Sequence, residues 1–310
     1  MKLVFCGTPQ FAVPTLQQLL IAKHSIELVV TQPDRVRGRN QDPSPPPVKI
    51  LAEATGISVV QPEKIRNNSD LRALLEAIRP DAIIVVAYGR IIPDWMLNLP
   101  PLGNLNLHGS LLPKYRGAAP IQWAVANGET VTGNTTMRLD AGLDTGDMLL
   151  QRELPIGADQ TSEQLFPLLA TMGAELMVET LQGLETGSIQ PVPQEHTRAS
   201  LAPILDREDA KVDFARPALE IYNRWRGFQP WPGAFTFFRG RKLTLHRLVL
   251  AGSSDLPPGE LHVEGDRLFA AAGSSTRLEL LEVQLEGKKR MLVADFLRGA
   301  APHPHERLGS

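Results

Sequence analysis

Cysteine is all but absent from this chain: Cys6 is the one thiol in 310 residues, so no internal disulfide can form. No Cys/His cluster has the spacing of zinc ligands, which excludes a metal site of that kind. A reducing compartment is the expectation. Long apolar runs are missing too. The first, Leu3 to Cys6, is too short for a signal-peptide core and breaks at once on Gly7-Thr8-Pro9. No run approaches the roughly 20 residues of a membrane span, so the expectation is a cytoplasmic protein without membrane contact. An excess of either charge is also lacking. The balance of 32 basic against 34 acidic residues leaves −2, so nucleic acid would have to be met by a local basic patch. What remains is an ordinary globular composition, 43% hydrophobic and 21% charged, over a length that suits two domains with a core each.

The pattern along the chain predicts an α/β domain first. Leu3 to Cys6 reads as a strand, and Gly7-Thr8-Pro9 turns into a helix with Val13, Leu16, Leu19 and Leu20 on one face. Pro9 and Ala12 stand where the second and third glycines of a dinucleotide-binding turn would be, which argues against a nicotinamide cofactor. Ile26 to Thr31 reads as the next strand. The polar, cationic stretch Gln32 to Asn40 that follows is either a solvated surface loop or one that reaches a partner. Pro43, Pro45, Pro46 and Pro47 stiffen the approach to a helix closed by Gly56. Ile57 to Val60 is a strand, and Leu71, Leu74, Leu75 and Ile78 make a helical stripe. Asp81 to Ala87 has the continuous apolar character of a central parallel strand. Tyr88-Gly89-Arg90-Ile91-Ile92 follows at its C-terminal end, where open α/β sheets bind ligands, although an anchored turn would read the same way.

Further on, Ala119 to Asn127 reads as a helix, Thr132 to Leu139 and Asp147 to Leu154 as strands. Thr161-Ser162-Glu163-Gln164 is a capping box ahead of a long apolar helix that Pro167 is expected to bend or interrupt. The fold expected is a Rossmann-like, doubly wound, mostly parallel sheet over residues 1–188. Residues 189–205 lose periodicity and gather prolines, the composition of a linker. Residues 206–310 carry short strand-like runs between Gly-bearing turns and read as a small OB-like β-barrel.

The most informative stretch runs from Asn106 to Asp144. Leu105 and Leu107 alternate with Asn104, Asn106 and His108, so a strand would bury the leucines on one face and set an amide beside an imidazole on the other. That pair suits carbonyl polarisation and proton transfer if a carboxylate such as Asp144 folds in beside it. Asn106-Leu107-His108-Gly109-Ser110, Leu111-Leu112-Pro113-Lys114-Tyr115-Arg116-Gly117-Ala118-Ala119-Pro120-Ile121 and Asp140-Ala141-Gly142-Leu143-Asp144-Thr145-Gly146-Asp147 together closely resemble the signature of the folate-dependent formyltransferase family. The likeness covers nearly the whole chain. Thr31-Gln32-Pro33-Asp34-Arg35 and Arg226-Gly227-Phe228-Gln229-Pro230-Trp231-Pro232-Gly233-Ala234 resemble the branch that formylates the methionine carried by initiator tRNA.

The resemblance implies 10-formyltetrahydrofolate as co-substrate, initiator methionyl-tRNA as partner and acceptor, and no metal. It implies that Asn106 and protonated His108 stabilise the formyl oxygen while Asp144 supports the histidine and helps relay the amine's proton. Folate would lie against Tyr88, Gly89, Arg90, Ile91, Ile92, Ser110, Leu111, Leu112, Pro113, Asp140 and Gly142. Lys114, Tyr115 and Arg116 either wall the site or touch substrate. For tRNA, the basic residues are Arg35, Arg37 and Arg39 in the first loop, then Arg224, Arg226, Arg239, Arg241, Lys242, Lys288, Lys289 and Arg290. The first loop departs from the family pattern, with Asn40, Gln41 and Asp42 where further lysines tend to stand. Trp225, Phe228 and Trp231 are either stacking surfaces or barrel core. Two rival readings are a formyltransferase acting on an amino sugar nucleotide and a non-catalytic folate or RNA binder of the same fold. A monomer is expected.

Overall fold

The computed structural model describes residues 1–36 and 43–309, and they fall into two compact units. The first comprises Met1–Pro120, Val131–Pro155 and Phe166–Pro203; the second comprises Ile121–Thr130, Ile156–Leu165 and Ile204 onward. The division thus differs from the contiguous one drawn from composition. The chain passes into the second unit twice before Pro203, and residues 189–203 belong to the body of the first.

In the first unit, β1 (Lys2–Gly7), α1 (Val13–Ile21) and β2 (Ser25–Val30) open the parallel pairing, followed by a short hairpin of β3 (Arg35–Val36) and β4 (Pro43–Ser44). Then come α2 (Pro47–Ala54), β5 (Val59–Val60), α3 (Ser69–Ile78), β6 (Ala82–Val86), α4 (Asp94–Leu97) and β7 (Asn104–His108). After α5 (Pro120–Ala126), which past Pro120 belongs to the second unit, β8 (Val131–Arg138) and β9 (Met148–Pro155) complete a seven-stranded sheet of order β5-β2-β1-β6-β7-β8-β9. The first five strands are parallel, and β8 and β9 are antiparallel additions. The expected Rossmann-like sheet is therefore present.

Local chemistry explains the elements. Asn68 caps α3, its side chain accepting from Leu71 N at 2.9 Å, and buried Leu71 and Leu75 recur on one face. The expected capping box opens α6 (Ser162–Thr186): Gln164 N donates to Thr161 Oγ1 at 3.4 Å and Thr161 N to Gln164 Oε1 at 3.0 Å. Pro167 does not interrupt this helix, which runs unbroken for 25 residues. One lost backbone bond is outweighed by a face that buries Leu165, Leu169, Ala174, Met177 and Leu181 completely. Gly173 sets the fit of that face on the sheet, since a Cβ there would lie 2.6 Å from Leu107 Cδ2 and 2.8 Å from Asn134 Nδ2. Among the described residues no helix is long and apolar enough to cross a membrane.

The second unit is built on α7 (Ala218–Gly227), β10 (Phe235–Phe238), β11 (Arg241–Ser253), β12 (Leu261–Glu264), β13 (Arg267–Ala272), β14 (Thr276–Leu285), β15 (Met291–Leu292) and α8 (Val293–Ala300). Its sheet runs β10-β11-β14-β13-β12, with β15 on β14. Register shifts at Leu245/Arg247, Arg247/Leu248 and Leu250/Ser253 bend the long β11 so that the sheet curls. Leu243, Leu245, Leu248, Leu268, Leu278, Leu280 and Val283 fill the interior, covered by Phe296 of α8. The stretch after α8 closes the curl: Leu261 N donates to Glu306 O and Leu308 N to Gly259 O on the β12 side, and Gly309 N donates to Phe237 O of β10.

A salt bridge locks that closing segment. Arg239 Nε and Nη2 donate to Glu306 Oε1 and Oε2 at 2.5 and 2.8 Å. The Arg239 guanidinium holds the Glu306 carboxyl below the usual carboxylate range, helped by the His303 N–H and opposed by partial burial. A depressed carboxylate stabilises the fold above its ordinary pKa of about 4.3, and the contribution is lost as pH falls through the lower folded value. Glu306→Gln should therefore lower the thermal midpoint at pH 7 and converge with the parent protein at strongly acidic pH. A difference between the two proteins that does not change with pH would contradict this assignment.

Candidate active site

Strand β7 builds the site. Leu105 and Leu107 point into the core shared with Met177 and Leu181, as the alternation requires. The opposite face is not solvent-exposed: Asn104, Asn106 and His108 are all buried, at 1%, 9% and 5% exposure. Buried polar groups need partners, and the three differ in how they find them. Asn104 Nδ2 donates to Met96 O and Leu97 O, closing α4 against the strand. The Asn106 amide has no hydrogen bond to any described residue, so it is available to a ligand. His108 is hydrogen-bonded at one nitrogen and faced by a carboxylate at the other. Its Nε2 lies 2.8 Å from Tyr115 O, and since a carbonyl can only accept, that nitrogen carries a hydrogen.

His108 Nδ1 faces Asp144 Oδ2 at 3.6 Å. The carboxylate arrives by an indirect route. Leu139 N donates to Asn104 O, so the β8–β9 connection starts level with the beginning of β7 and folds back over its polar face to bring Asp144 to the strand's far end. Asp140 shapes that return: its Oδ1 accepts from Gly142 N and Thr145 Oγ1 at 3.0 and 2.8 Å. Asp144 Oδ2 also accepts from Gly117 N at 2.8 Å. A proton on Nδ1 would thus lie against a fixed carboxylate, while the 3.6 Å gap is longer than a formed hydrogen bond.

The other expected ligand residues divide into wall and surface. Ser110 is buried, its hydroxyl donating to Lys114 O, and Leu112 N donates to Thr135 Oγ1. Both brace the loop that carries Tyr115, alongside Leu111 and Pro113. Tyr88 is 2% exposed and packs in the core with Ile92; its carbonyl ties Thr8 and Gln32 to the end of β6. Gly89 (φ +74°) turns the chain, leaving Ile91 91% exposed and Arg90 with a buried Nε that has no hydrogen-bond partner among the described residues. Gly142 and its exposed neighbour Leu143 sit on the Asp144 loop.

The basic residues separate as sharply. Arg226 is a correction: it is 4% exposed, and its guanidinium donates to Asn223 Oδ1, Gly157 O and Gln160 O, so it braces the second unit and presents no charge to a phosphate. Arg224 stacks on Trp123 and Phe228 and reaches Asp209 O. Arg239 and Arg290 are paired with Glu306 and Glu282. Arg241, Lys242, Lys288 and Lys289 remain exposed at one end of the β11–β14 ladder, where Glu286 N donates to Lys242 O and Arg241 donates to Glu286 O. Arg35 is exposed and donates to Gln32 Oε1; Arg37 and Arg39 lie outside the described residues. Phe228 is buried, Trp225 packs against the barrel core, and Trp231 is 53% exposed.

Comparison with known proteins fits this geometry. The formyl transferase model matches residues 1–181, and the formyl transferase C-terminal domain model matches residues 204–301. The chain belongs to the formyl transferase family. It is 67% identical over 311 residues to the methionyl-tRNA formyltransferase of Acidobacterium capsulatum, covering 100% of both chains. It is 61% identical to that of Koribacter versatilis, covering 100% of this chain and 99% of the relative. Among solved structures, the sugar 3N-formyl transferase WlaRD superposes with a TM-score of 0.66 at 19% identity, over 93% of this chain and 99% of that one. That likeness is one of fold. Formyl transferase membership could be read from the motifs around Asn106, His108 and Asp144, but Gln194, which contacts the Asp144 loop, lay in a stretch without any such signal.

Proposed function

We propose that this chain transfers the formyl group of 10-formyltetrahydrofolate to the α-amine of methionine esterified to initiator tRNA, in the compartment where that tRNA is charged. The observation that carries the reading is full-length identity of 67% to a methionyl-tRNA formyltransferase. Support also comes from the amide of Asn106 and the imidazole of His108 lying two residues apart on β7, with the Asp144 carboxylate facing the imidazole. WlaRD was crystallised with 5-N-formyl-tetrahydrofolate, and the exposed Ile91 beside cationic Arg90 suits a flat ring bearing a carboxylate tail.

10-Formyltetrahydrofolate supplies the reacting carbon: the methionine amine bonds to it, its bond to N10 breaks, and the amine's proton passes to N10 of the departing tetrahydrofolate, while the chain's own groups manage charge and protons. Asn106 Nδ2 is the unengaged donor for negative charge that develops on the formyl oxygen. His108 Nε2–H is engaged by Tyr115 O, so it can be given to that oxygen only in exchange for this contact. Asp144 faces the other ring nitrogen, where its carboxylate can accept a hydrogen bond during proton transfer from the amine. The direct test is to supply 10-formyltetrahydrofolate with methionine-charged initiator or elongator tRNA and look for formylmethionine. Formylation is expected on the initiator. A protein that ignores both tRNAs and formylates an amino sugar nucleotide would overturn the reading.

A further inference from the structure

The segment from Gln194 to Ala202 has the composition of a linker, yet it frames both groups that face His108. Tyr115 N donates to Ser200 Oγ at 3.0 Å, Arg116 N to Ser200 O at 2.8 Å, and Ala202 N to Arg116 O at 2.7 Å. Gly117 passes so near Ala202 that a Cβ would sit 2.6 Å from its carbonyl oxygen. Gln194 is 5% exposed, and its Nε2 donates to Asp144 O at 2.9 Å and to Gly146 O at 2.8 Å. Its Oε1 accepts from Arg116 Nε and Nη2 at 3.0 and 2.7 Å, while Arg116 Nη2 also donates to His196 Nδ1 at 3.1 Å.

Backbone conformation shows why such a frame is needed. Tyr115 and Asp144, the two residues that face the His108 nitrogens, both lie in the left-handed region, at φ +62° and +51°. Side-chain-bearing residues persist there only where the surroundings over-determine them. Arg116 aims Gln194 by a two-donor contact, and Gln194 grips the main chain on both sides of Thr145. A carboxylate held in this way needs no reorganisation when charge develops beside it.

We propose that Gln194, oriented by Arg116, is a positioning residue for the formyl-transfer reaction: by holding the main chain at Asp144 and Gly146, it keeps the Asp144 carboxylate in front of His108. The role rests on the formyl-transfer reading given above. Gln194→Met removes both donors and the acceptor. Gln194→Glu keeps the acceptor for Arg116 but loses the donors and sets a carboxylate against two carbonyl oxygens.

Both variants should lower kcat by about 10- to 100-fold, the scale of a misplacement of about 1 Å. KM for either substrate should stay within about 2-fold, since no substrate contact is removed. The decisive measurement is a double-mutant cycle with Asp144→Asn: in that background either Gln194 substitution should cost less than about 3-fold more. Fully multiplicative losses, or parental kcat in the single variants, would overturn the proposal. Thermal unfolding of each variant reports folding, and the isosteric Gln194→Glu stands in if the methionine variant does not fold. Should the unmodified protein fail to formylate methionyl-tRNA, the functional reading falls, and 15N-histidine NMR then decides the Gln194 role. His108 ring resonances should move in Gln194→Glu in the direction they move in Asp144→Asn; unmoved resonances would overturn it.

Discussion

Asn106→Ala should reduce kcat for formyl transfer by about 100- to 1000-fold, the usual cost of removing one preorganised oxyanion donor. The magnitude follows from the state of that side chain. It is buried on a rigid central strand, yet it has no hydrogen bond within the described protein, so nothing else competes for its donors. His108→Ala should cost at least as much, because it also removes the ring that Tyr115 O holds and Asp144 faces. The double variant should lose far less than the product of the single losses, since the groups act on one developing charge. Binding of methionyl-tRNA should be unchanged in all three proteins. Single-turnover formylation with saturating substrates, together with filter binding of the tRNA, checks both halves. Turnover near the parental rate in either single variant would remove the site from the chemistry.

Replacing Lys242, Lys288 and Lys289 together by glutamine should weaken tRNA binding by about an order of magnitude at low salt. It should also flatten the slope of log K against log salt by about 2 to 3 units. These three are singled out by their surroundings. Lys288 and Lys289 are exposed and have no side-chain partner among the described residues; Lys242 lies over the Phe235 ring at 4.1 Å and stays exposed. Arg239 and Arg290, by contrast, face carboxylates that already cancel their charge. Neutralising Arg290 alone should therefore leave the salt slope nearly as it was. Equal flattening by the triple lysine variant and by Arg290→Gln would show that the exposed end of the ladder is not the RNA contact.

Much of the architecture was legible because local patterns carried it. Period-2 alternation identified β7 and its two faces, the continuous apolar run identified β6, and Thr161 with Gln164 marked the start of α6. The errors are equally local. α7 passed unnoticed because its polar residues include buried Asn223 and Arg226, which hydropathy counts as surface. Pro167 looked like a break, but the apolar face of a 25-residue helix outweighs one missing hydrogen bond. Residues 189–203 looked like a tether because prolines and small polar residues lack periodicity. They are ordered by bridges from Val192 to Met148 and from Leu201 to Arg116, pairings that no spacing announces.

The sequence by itself determined the kind of chemistry here: an amide and an imidazole two residues apart on a strand, a carboxylate in a glycine-bearing loop, and a first turn unfit for a dinucleotide. Periodicity and turn chemistry act over a few residues, so they are written into neighbouring positions. Only the tertiary structure decided which basic side chains keep their charge available, and that His108 is hydrogen-bonded to Tyr115 O with Asp144 facing its other nitrogen. It alone revealed Gln194, 50 residues beyond Asp144, as the residue gripping the Asp144 loop. Burial and hydrogen-bond partnership depend on which distant segments meet, and no local pattern encodes that meeting.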